Sequence, residues 1–227
     1  MVNVIKDNIK RVLENIGEAA IKSGRKPEDI TLVAVTKTVT AKEAAEVLDA
    51  GVLTLGENRV QSLLDKYEVL KDKPQWHLIG HLQTNKVKYI ADKVSLIHSV
   101  ESLKLAQEID RKFEEAGKVA NILVQVNVSG EESKFGITPC DTFSLIEEIS
   151  KLKNVKVNGL MTMAPLTATP NECRKYFSEL RELSYKIADR KIQNIDMTEL
   201  SMGMSGDYQE AILEGATIVR VGSALFN

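Results

Sequence analysis

Short apolar runs alternate with helical patterns along this chain. Apolar residues recur at helical spacing from Ile5 to Ala20, which predicts an amphipathic N-terminal helix. Eight later runs are short and rich in Val, Ile and Leu, and most lack the two-residue alternation of a half-exposed strand, as is typical of parallel strands buried on both faces. We therefore predict strands at 32–37, 53–57, 76–80, 95–99, 122–128, 157–163, 198–202 and 218–222.

Helix-capping signals separate these predicted strands. Thr40 and Glu43 are spaced as a capping box, and Gly51 follows as a helix stop. Caps with Pro at the first helical position begin at Thr138 and Thr169, and Asp207 precedes the next helix at a similar spacing. Alternating strands and helices favour an α/β fold, and eight strands favour a closed (β/α)8 TIM-type barrel with an additional N-terminal helix.

We expect the barrel to form a single domain, residues 1–227, because no linker, repeat or low-complexity segment interrupts the pattern. The chain ends directly after the eighth strand, which leaves no room for a helix there. The N-terminal helix is expected to restore the count to eight, either on the outer wall or across the bottom of the barrel.

Composition argues against several classes of partner. Lys plus Arg number 30 and Asp plus Glu 32, so a net charge of −2 gives no reason to expect nucleic acid or an anionic membrane. The two cysteines are far apart, which suggests neither a disulfide framework nor a zinc site. No signal peptide or membrane span is apparent. We expect a reduced, cytoplasmic protein that is a monomer, since no large apolar stripe is evident.

Lys37 is the principal candidate for chemistry. Functional residues of such barrels gather at the C-terminal ends of the strands, and Lys37 ends the run LVAVTK. A lysine at a barrel mouth is expected to be desolvated, which favours the neutral amine that forms an imine with an aldehyde. The alternative is a lysine that merely extends from a strand end into water.

Glycine and serine residues follow the last two predicted strands, in SMGMSGD and at Gly222 and Ser223. Loops at these positions often bind phosphate, because glycine allows close approach while N–H and hydroxyl groups donate hydrogen bonds. Together with Lys37 they suit a phosphorylated aldehyde, although ordinary turns would have the same composition. Arg220 lies in the last strand, and its alternative is a structural arginine paired with a carboxylate such as Glu57.

The remaining candidates are weaker. His77 and His81 are four residues apart but lack an HExxH motif, so no metal site is predicted. His98 is either a pocket donor or a core histidine. Lys134 follows the fifth strand, where an exposed loop residue is the expected role, with a second ligand contact left open.

Eight motifs in order match a known family: LVAVTK, GENRVQ, WHLIGHLQTNK, HSVES, VNVSGEESKFGI, GLMTMAP, LSMGMSGDYQEAI and VRVGSALF. From about residue 5 to the end, the chain resembles the pyridoxal-phosphate homeostasis protein family, whose barrel is similar to the N-terminal domain of alanine racemase. The resemblance implies that pyridoxal 5′-phosphate (PLP) forms a Schiff base on Lys37. It also implies contacts of Arg220 with the pyridine nitrogen, of Asn58 with the cofactor, and of Ser201, Gly222 and Ser223 with the phosphate.

The resemblance further implies a binding protein that holds PLP and delivers it to apo forms of PLP-dependent enzymes, with no catalytic residue. An amino-acid racemase is the first alternative. Racemisation needs an acid–base group on each cofactor face, and alanine racemase takes the second from a further domain. Of the five tyrosines here, only Tyr208 is near the predicted mouth. A barrel enzyme acting on a sugar or aldol phosphate is the other alternative.

Overall fold

The chain folds into a closed barrel of parallel strands. A computed structural model describes residues 4–131 and 134–227. Neighbouring strands pair in chain order and the eighth pairs with the first, which confirms the predicted (β/α)8 barrel and all eight predicted strands. They are β1 Thr31–Val35, β2 Thr54–Glu57, β3 Gln75–Leu78, β4 Leu96–Val100, β5 Ala120–Gln125, β6 Val155–Met161, β7 Ile195–Ser201 and β8 Ile218–Val221.

Helices connect the strands, and most of the predicted caps form. Thr40, Thr138 and Thr169 each accept a hydrogen bond from the backbone N–H three residues on. Within 4–131 and 134–227, no helix has the length and apolarity needed to cross a membrane. The α-helices are α1 Val4–Lys22, α2 Ala41–Asp49, α3 Val60–Leu70, α4 Leu103–Glu115, α5 Pro139–Ile149, α6 Pro170–Ala188, α7 Tyr208–Leu213 and α8 Ser223–Phe226, with 3-10 helices at Pro27–Asp29 and Thr84–Tyr89.

Two details of the helices correct the sequence prediction. The four residues of α8 form one helical turn directly after β8, where no helix was expected. Asp207 occupies the predicted N-cap position of α7, but its side chain makes no capping hydrogen bond; its Oδ1 instead accepts a hydrogen bond from the Met204 N–H at 2.5 Å. The carboxylate of Asp207 therefore stabilises the loop that precedes α7.

Helix α1 packs on the outer wall of the barrel, one of its two predicted positions. The Asn8 side chain donates to the carbonyls of Leu225 and Asn227 at 3.2 and 3.1 Å, and Asn15 donates to the Tyr208 hydroxyl at 3.0 Å. Its apolar face, which includes Ile9 and Val12, is buried. The N-terminal helix thus holds the segment that follows β8 in place.

Alternate strand residues face the inside of the barrel. An inner apolar cluster joins residues from five strands: Val33, Leu96, Leu123, Met161 and Ile218. Arg220 lies two residues after Ile218 in β8, and His98 lies two residues after Leu96 in β4, so both also face the barrel interior, and both are buried. The barrel interior therefore has an apolar layer and, towards the C-terminal ends of the strands, a polar one.

Candidate functional site

A cavity of about 430 Å³ opens at the C-terminal ends of the strands. Its lining includes five of the six predicted site residues: Lys37, Asn58, Arg220, Gly222 and Ser223. An apolar side is formed mainly from the loop between β6 and α6, by Met163, Pro165, Leu166, Ala168 and Cys173. The fold thus brings Lys37 and Ser223, which lie 186 positions apart, into one cavity.

Lys37 lies two residues beyond the end of β1, and it is exposed. The predicted desolvation of this side chain is therefore wrong. Val35 lies at the end of β1 and also lines the cavity. Because alternate residues of a strand face the same side, Lys37 also faces the barrel interior, but it lies beyond the point where the neighbouring strands would cover it. Its amine is accessible to an aldehyde from the solvent.

Asn58 lines the cavity, and its side chain carries a buried, unpaired polar atom. Its Oδ1 is buried and has no hydrogen-bond partner among the described residues. Gly80 packs against the Asn58 backbone so closely that a Cβ at position 80 would lie 2.2 Å from the Asn58 carbonyl oxygen. Because buried polar atoms are normally satisfied, the Asn58 side chain is suited to a ligand with hydrogen-bond donors or to a bound water.

Serine and glycine line the cavity at the ends of β7 and β8. Ser205 Oγ accepts hydrogen bonds from the N–H groups of Gly222 and Ala224, at 3.1 and 3.4 Å. Those bonds leave its own hydrogen available for donation. Ser205, Gly222 and Ser223 all line the cavity, and the chain passes so near Val35 that a Cβ at position 222 would lie 3.3 Å from the Val35 Cβ.

Ser201 does not line this cavity, contrary to its predicted phosphate contact. It is fully buried at the end of β7, and its hydroxyl contacts Arg220 and His98. Ser205 lies four residues further on and reaches the cavity instead. The Gly- and Ser-rich motif marked the right loop, but alternation in β7 directs Ser201 into the barrel interior.

Arg220 is a buried cation at the floor of the cavity, with 4% of its surface exposed. Its guanidinium donates to Ser201 Oγ at 2.5 Å and to the Thr162 carbonyl at 2.9 Å. Burial lowers the pKa of Arg220 to about 10, although Asp207 acts in the opposite direction. This pKa keeps the side chain protonated at neutral pH.

The pairing of Arg220 with Glu57, considered as an alternative, does not form. Glu57 faces outward from β2 and forms an ion pair with Lys66 of α3, with 2.8 Å between Oε1 and Nζ. The same oxygen accepts a hydrogen bond from the Thr36 hydroxyl at 2.6 Å. Glu57 thereby anchors the residue that precedes Lys37.

A buried hydrogen-bonded chain behind Arg220 was not foreseen. The Nδ1 of His98 lies 2.9 Å from Ser201 Oγ, and its Nε2 lies 3.0 Å from Nδ1 of His77. Burial lowers the pKa of His77 to about 4. Burial, followed by the repulsion that a protonated His77 and Arg220 would exert, lowers the pKa of His98 well below its usual value. Both rings are neutral at physiological pH.

The other candidate groups point elsewhere. His81 contacts Glu101 rather than His77, with 3.2 Å between Nδ1 and Oε1, and its ring stacks on Phe135. Within 4–131 and 134–227, no group of three or more potential metal ligands lies together. The amine of Lys134 contacts Glu131 at 2.9 Å and the carbonyl of Met163 at 3.4 Å, but Lys134 itself does not line the cavity.

Asp207 and Cys173 also line the cavity, and sequence reasoning assigned neither of them a role in the site. Burial raises the pKa of Asp207, against the opposing effects of the Met204 N–H and of Arg220. Burial, followed by the charges of Asp207 and other acids, raises the pKa of the Cys173 thiol. A thiol in this state is a poor nucleophile.

Comparison with known proteins agrees with this geometry. Residues 7–227 match the family model described as "Alanine racemase, N-terminal domain". A curated relative from Aquifex aeolicus, named "Pyridoxal phosphate homeostasis protein", is 45% identical over 97% of this chain and 96% of its own length. This chain belongs to the pyridoxal phosphate homeostasis protein family.

Solved structures agree with that membership. PipY of Synechococcus elongatus, a structure described as having PLP bound, superposes with a TM-score of 0.82 at 35% identity, over 93% of this chain and all of PipY. Alanine racemase of Clostridium difficile superposes with a TM-score of 0.76 at 18% identity, over 97% of this chain and 56% of the racemase. The second likeness concerns the fold alone.

Proposed function

We propose that this protein binds PLP covalently through Lys37, holds it reversibly and releases it to apo forms of PLP-dependent enzymes, without turning over a substrate. The observation that carries the proposal is one cavity lined by an exposed lysine, a buried arginine, and the serine and glycine residues of two adjacent loops. The family name and the PLP-bound relative support the choice of cofactor.

The residues of the cavity fit this cofactor. PLP supplies an aldehyde that condenses reversibly with a primary amine. Lys37 would provide the amine, and Arg220 would face the pyridine nitrogen as a permanent donor. Asn58, with its unpaired Oδ1, would contact the edge of the ring.

The phosphate contacts belong to the ends of β7 and β8. Ser205 and Ser223 would bind the phosphate through hydroxyl and backbone N–H groups, and Ser205 takes the role first predicted for Ser201. Gly222, whose N–H is donated to Ser205, would let the phosphate approach the backbone closely. The Ser205 hydroxyl is suited to this role because it is the acceptor in its bonds with Gly222 and Ala224, which leaves its hydrogen for a ligand.

A carrier fits the site better than a racemase does. Tyr208, the tyrosine considered as a second base, is buried and hydrogen-bonded to Asn15 of α1. The second lysine near the mouth, Lys134, forms an ion pair outside the cavity lining. Among the described residues, neither group faces Lys37 across the cavity, whereas racemisation needs an acid–base group on each face.

The proposal extends to the organisation of the protein. We propose that residues 1–227 form a single PLP-binding domain that acts as a monomer. Both cysteines, Cys140 and Cys173, are free, which fits a reducing compartment such as the cytoplasm.

Reductive labelling tests the proposal. Protein incubated with PLP should be yellow, and borohydride should fix the mass of the cofactor to a peptide that contains Lys37. Lys37→Arg should abolish that labelling while it retains the charge, and Lys134→Arg should not. Labelling that persists in Lys37→Arg, or its absence in the wild type, would reject Lys37 as the attachment point.

A second measurement separates a carrier from a racemase. The loaded protein should activate a PLP-dependent apo-enzyme faster than release into buffer allows, and it should not racemise L-alanine above the level of Lys37→Arg. Racemisation that depends on Lys37 would favour the enzyme.

A further inference from the structure

Arg220, Ser201, His98 and His77 come from four different strands and form one hydrogen-bonded chain across the barrel interior. All four are buried, with 6% or less of each residue exposed. Their positions behind the cavity mean that three of them are remote from a ligand, since only Arg220 lines the cavity.

The hydrogen bond between Arg220 and Ser201 determines which atom is the donor in each of the other hydrogen bonds, as far as His77. A guanidinium is only a donor, so Ser201 Oγ must accept from Arg220. Among the described residues, the other partner of this hydroxyl is Nδ1 of His98, which must receive the serine hydrogen if it is to be satisfied. The hydrogen of neutral His98 then lies on Nε2 and points to Nδ1 of His77.

The opposite set of hydrogen-bond donors, with the hydrogen of His98 on Nδ1, is unfavourable. If Nδ1 of His98 carried the hydrogen, the Ser201 hydroxyl would accept from both sides, and its own hydrogen would have no acceptor among the described residues. An unsatisfied donor at a fully buried position is destabilising. The geometry therefore selects one tautomer for both histidines, with hydrogen on Nε2.

We propose that His98, supported by His77, is a positioning residue for Arg220. By keeping Ser201 as an acceptor towards the guanidinium, the two rings fix one end of Arg220 while the Thr162 carbonyl fixes the other. The remaining N–H groups are thereby oriented towards the cavity before any ligand arrives. Such preorganisation reduces the entropic loss on binding.

This inference rests on the proposed function, because Arg220 is the residue through which it would affect PLP. The protein without ligand nevertheless provides an independent test. The chain has three histidines, so ring ¹⁵N NMR signals can be assigned with His77→Gln and His98→Asn variants. At pH 7 both His98 and His77 should carry hydrogen on Nε2 with Nδ1 as an acceptor, and Ser201→Ala should leave His98 as a mixture of tautomers. A His98 ring protonated on Nδ1 in the wild type would overturn the inference.

Variants test the effect on the ligand. His98→Phe removes the acceptor for Ser201, and we expect the affinity for PLP to fall by up to roughly tenfold, as the net loss of one neutral hydrogen bond predicts, with a displaced absorption maximum of the bound cofactor. His98→Asn places an amide oxygen near the position of Nδ1, so its maximum should lie close to that of the wild type. Equal maxima and affinities for His98→Phe and the wild type would contradict the positioning role.

A matched control separates positioning from loss of stability. Leu123→Ala opens space in the same barrel interior but contacts none of the four polar residues through a hydrogen bond, so it should lower Tm and leave the absorption maximum unchanged. A shift as large as that of His98→Phe would overturn the inference. If His98→Phe does not fold, Ser201→Ala and the NMR measurement decide. Absence of PLP from the wild type would reject the proposed function while the tautomer test still stands.

Discussion

Glu57 and Lys66 form an ion pair in the wall between β2 and α3, with 0% and 9% of their side chains exposed. The second carboxylate oxygen of Glu57 is buried without a partner among the described residues. Lys66 is therefore the counter-ion for a carboxylate that also anchors Thr36, directly before Lys37.

Lys66→Met should leave this buried carboxylate without its cation. We expect the free energy of unfolding to fall by about 3–5 kcal/mol, the usual consequence of breaking a buried pair, as measured by urea denaturation. Lys10→Met, whose side chain is 77% exposed beside Glu14, should change the midpoint little. The double variant Glu57→Leu/Lys66→Met should recover most of the loss, and a lasting deficit would contradict an electrostatic origin.

Ser205 and Ser201 should differ in how they affect phosphate binding. Ser205→Ala removes a hydroxyl from the cavity, so we expect roughly tenfold weaker binding of PLP but little change for pyridoxal, which lacks the phosphate. Ser201→Ala should affect both ligands alike, because its hydroxyl contacts Arg220. Titrations of both ligands give the ratio of the affinity for PLP to the affinity for pyridoxal. If Ser201→Ala changes this ratio and Ser205→Ala does not, the phosphate contact belongs to Ser201.

Acid should destabilise the protein through His77. Its pKa is about 4 in the folded state, against 6.5 for an unperturbed histidine, so the unfolded chain binds more protons between these values. Stability is therefore complete above about pH 6.5 and is lost as the pH falls towards 4, by about 2 kcal/mol at pH 5. His98 contributes in the same direction, because its pKa is also lowered.

His77→Gln isolates this contribution, because the carboxylates that also titrate are common to both proteins. Urea midpoints at pH 7.5 and pH 5 should differ less in the variant than in the wild type. An equal loss in both would exclude His77 as a source of the acid sensitivity.

The fold could be predicted because strands and helix starts both leave a local signal in the sequence. Apolar runs marked every strand, and residues such as Thr40 and Glu43 marked helix starts, because capping hydrogen bonds join residues only three positions apart. The limits of β5 were predicted less well: the strand ends at Gln125, and the Asn127 side chain then bonds to loop carbonyls of Glu131 and Lys134.

The site could be predicted only in part. Lys37 and Arg220 follow from strand position, but their surroundings depend on residues that are distant in sequence. The contact of His98 with Ser201 spans 103 positions, and no spacing rule predicts it. The exposure of Lys37 was missed for the same reason, since strand position alone does not reveal how far the neighbouring loops extend.

The exposure of Lys37 has a kinetic consequence. An aldehyde can reach an amine at the open end of the barrel without any rearrangement of the strands, so the observed rate of capture should rise with aldehyde concentration until the contacts of the cavity are saturated. Water reaches the same bond equally easily. How long the cofactor stays is therefore governed by the strength of the contacts around its ring and phosphate, and its residence time can be tuned by single substitutions there.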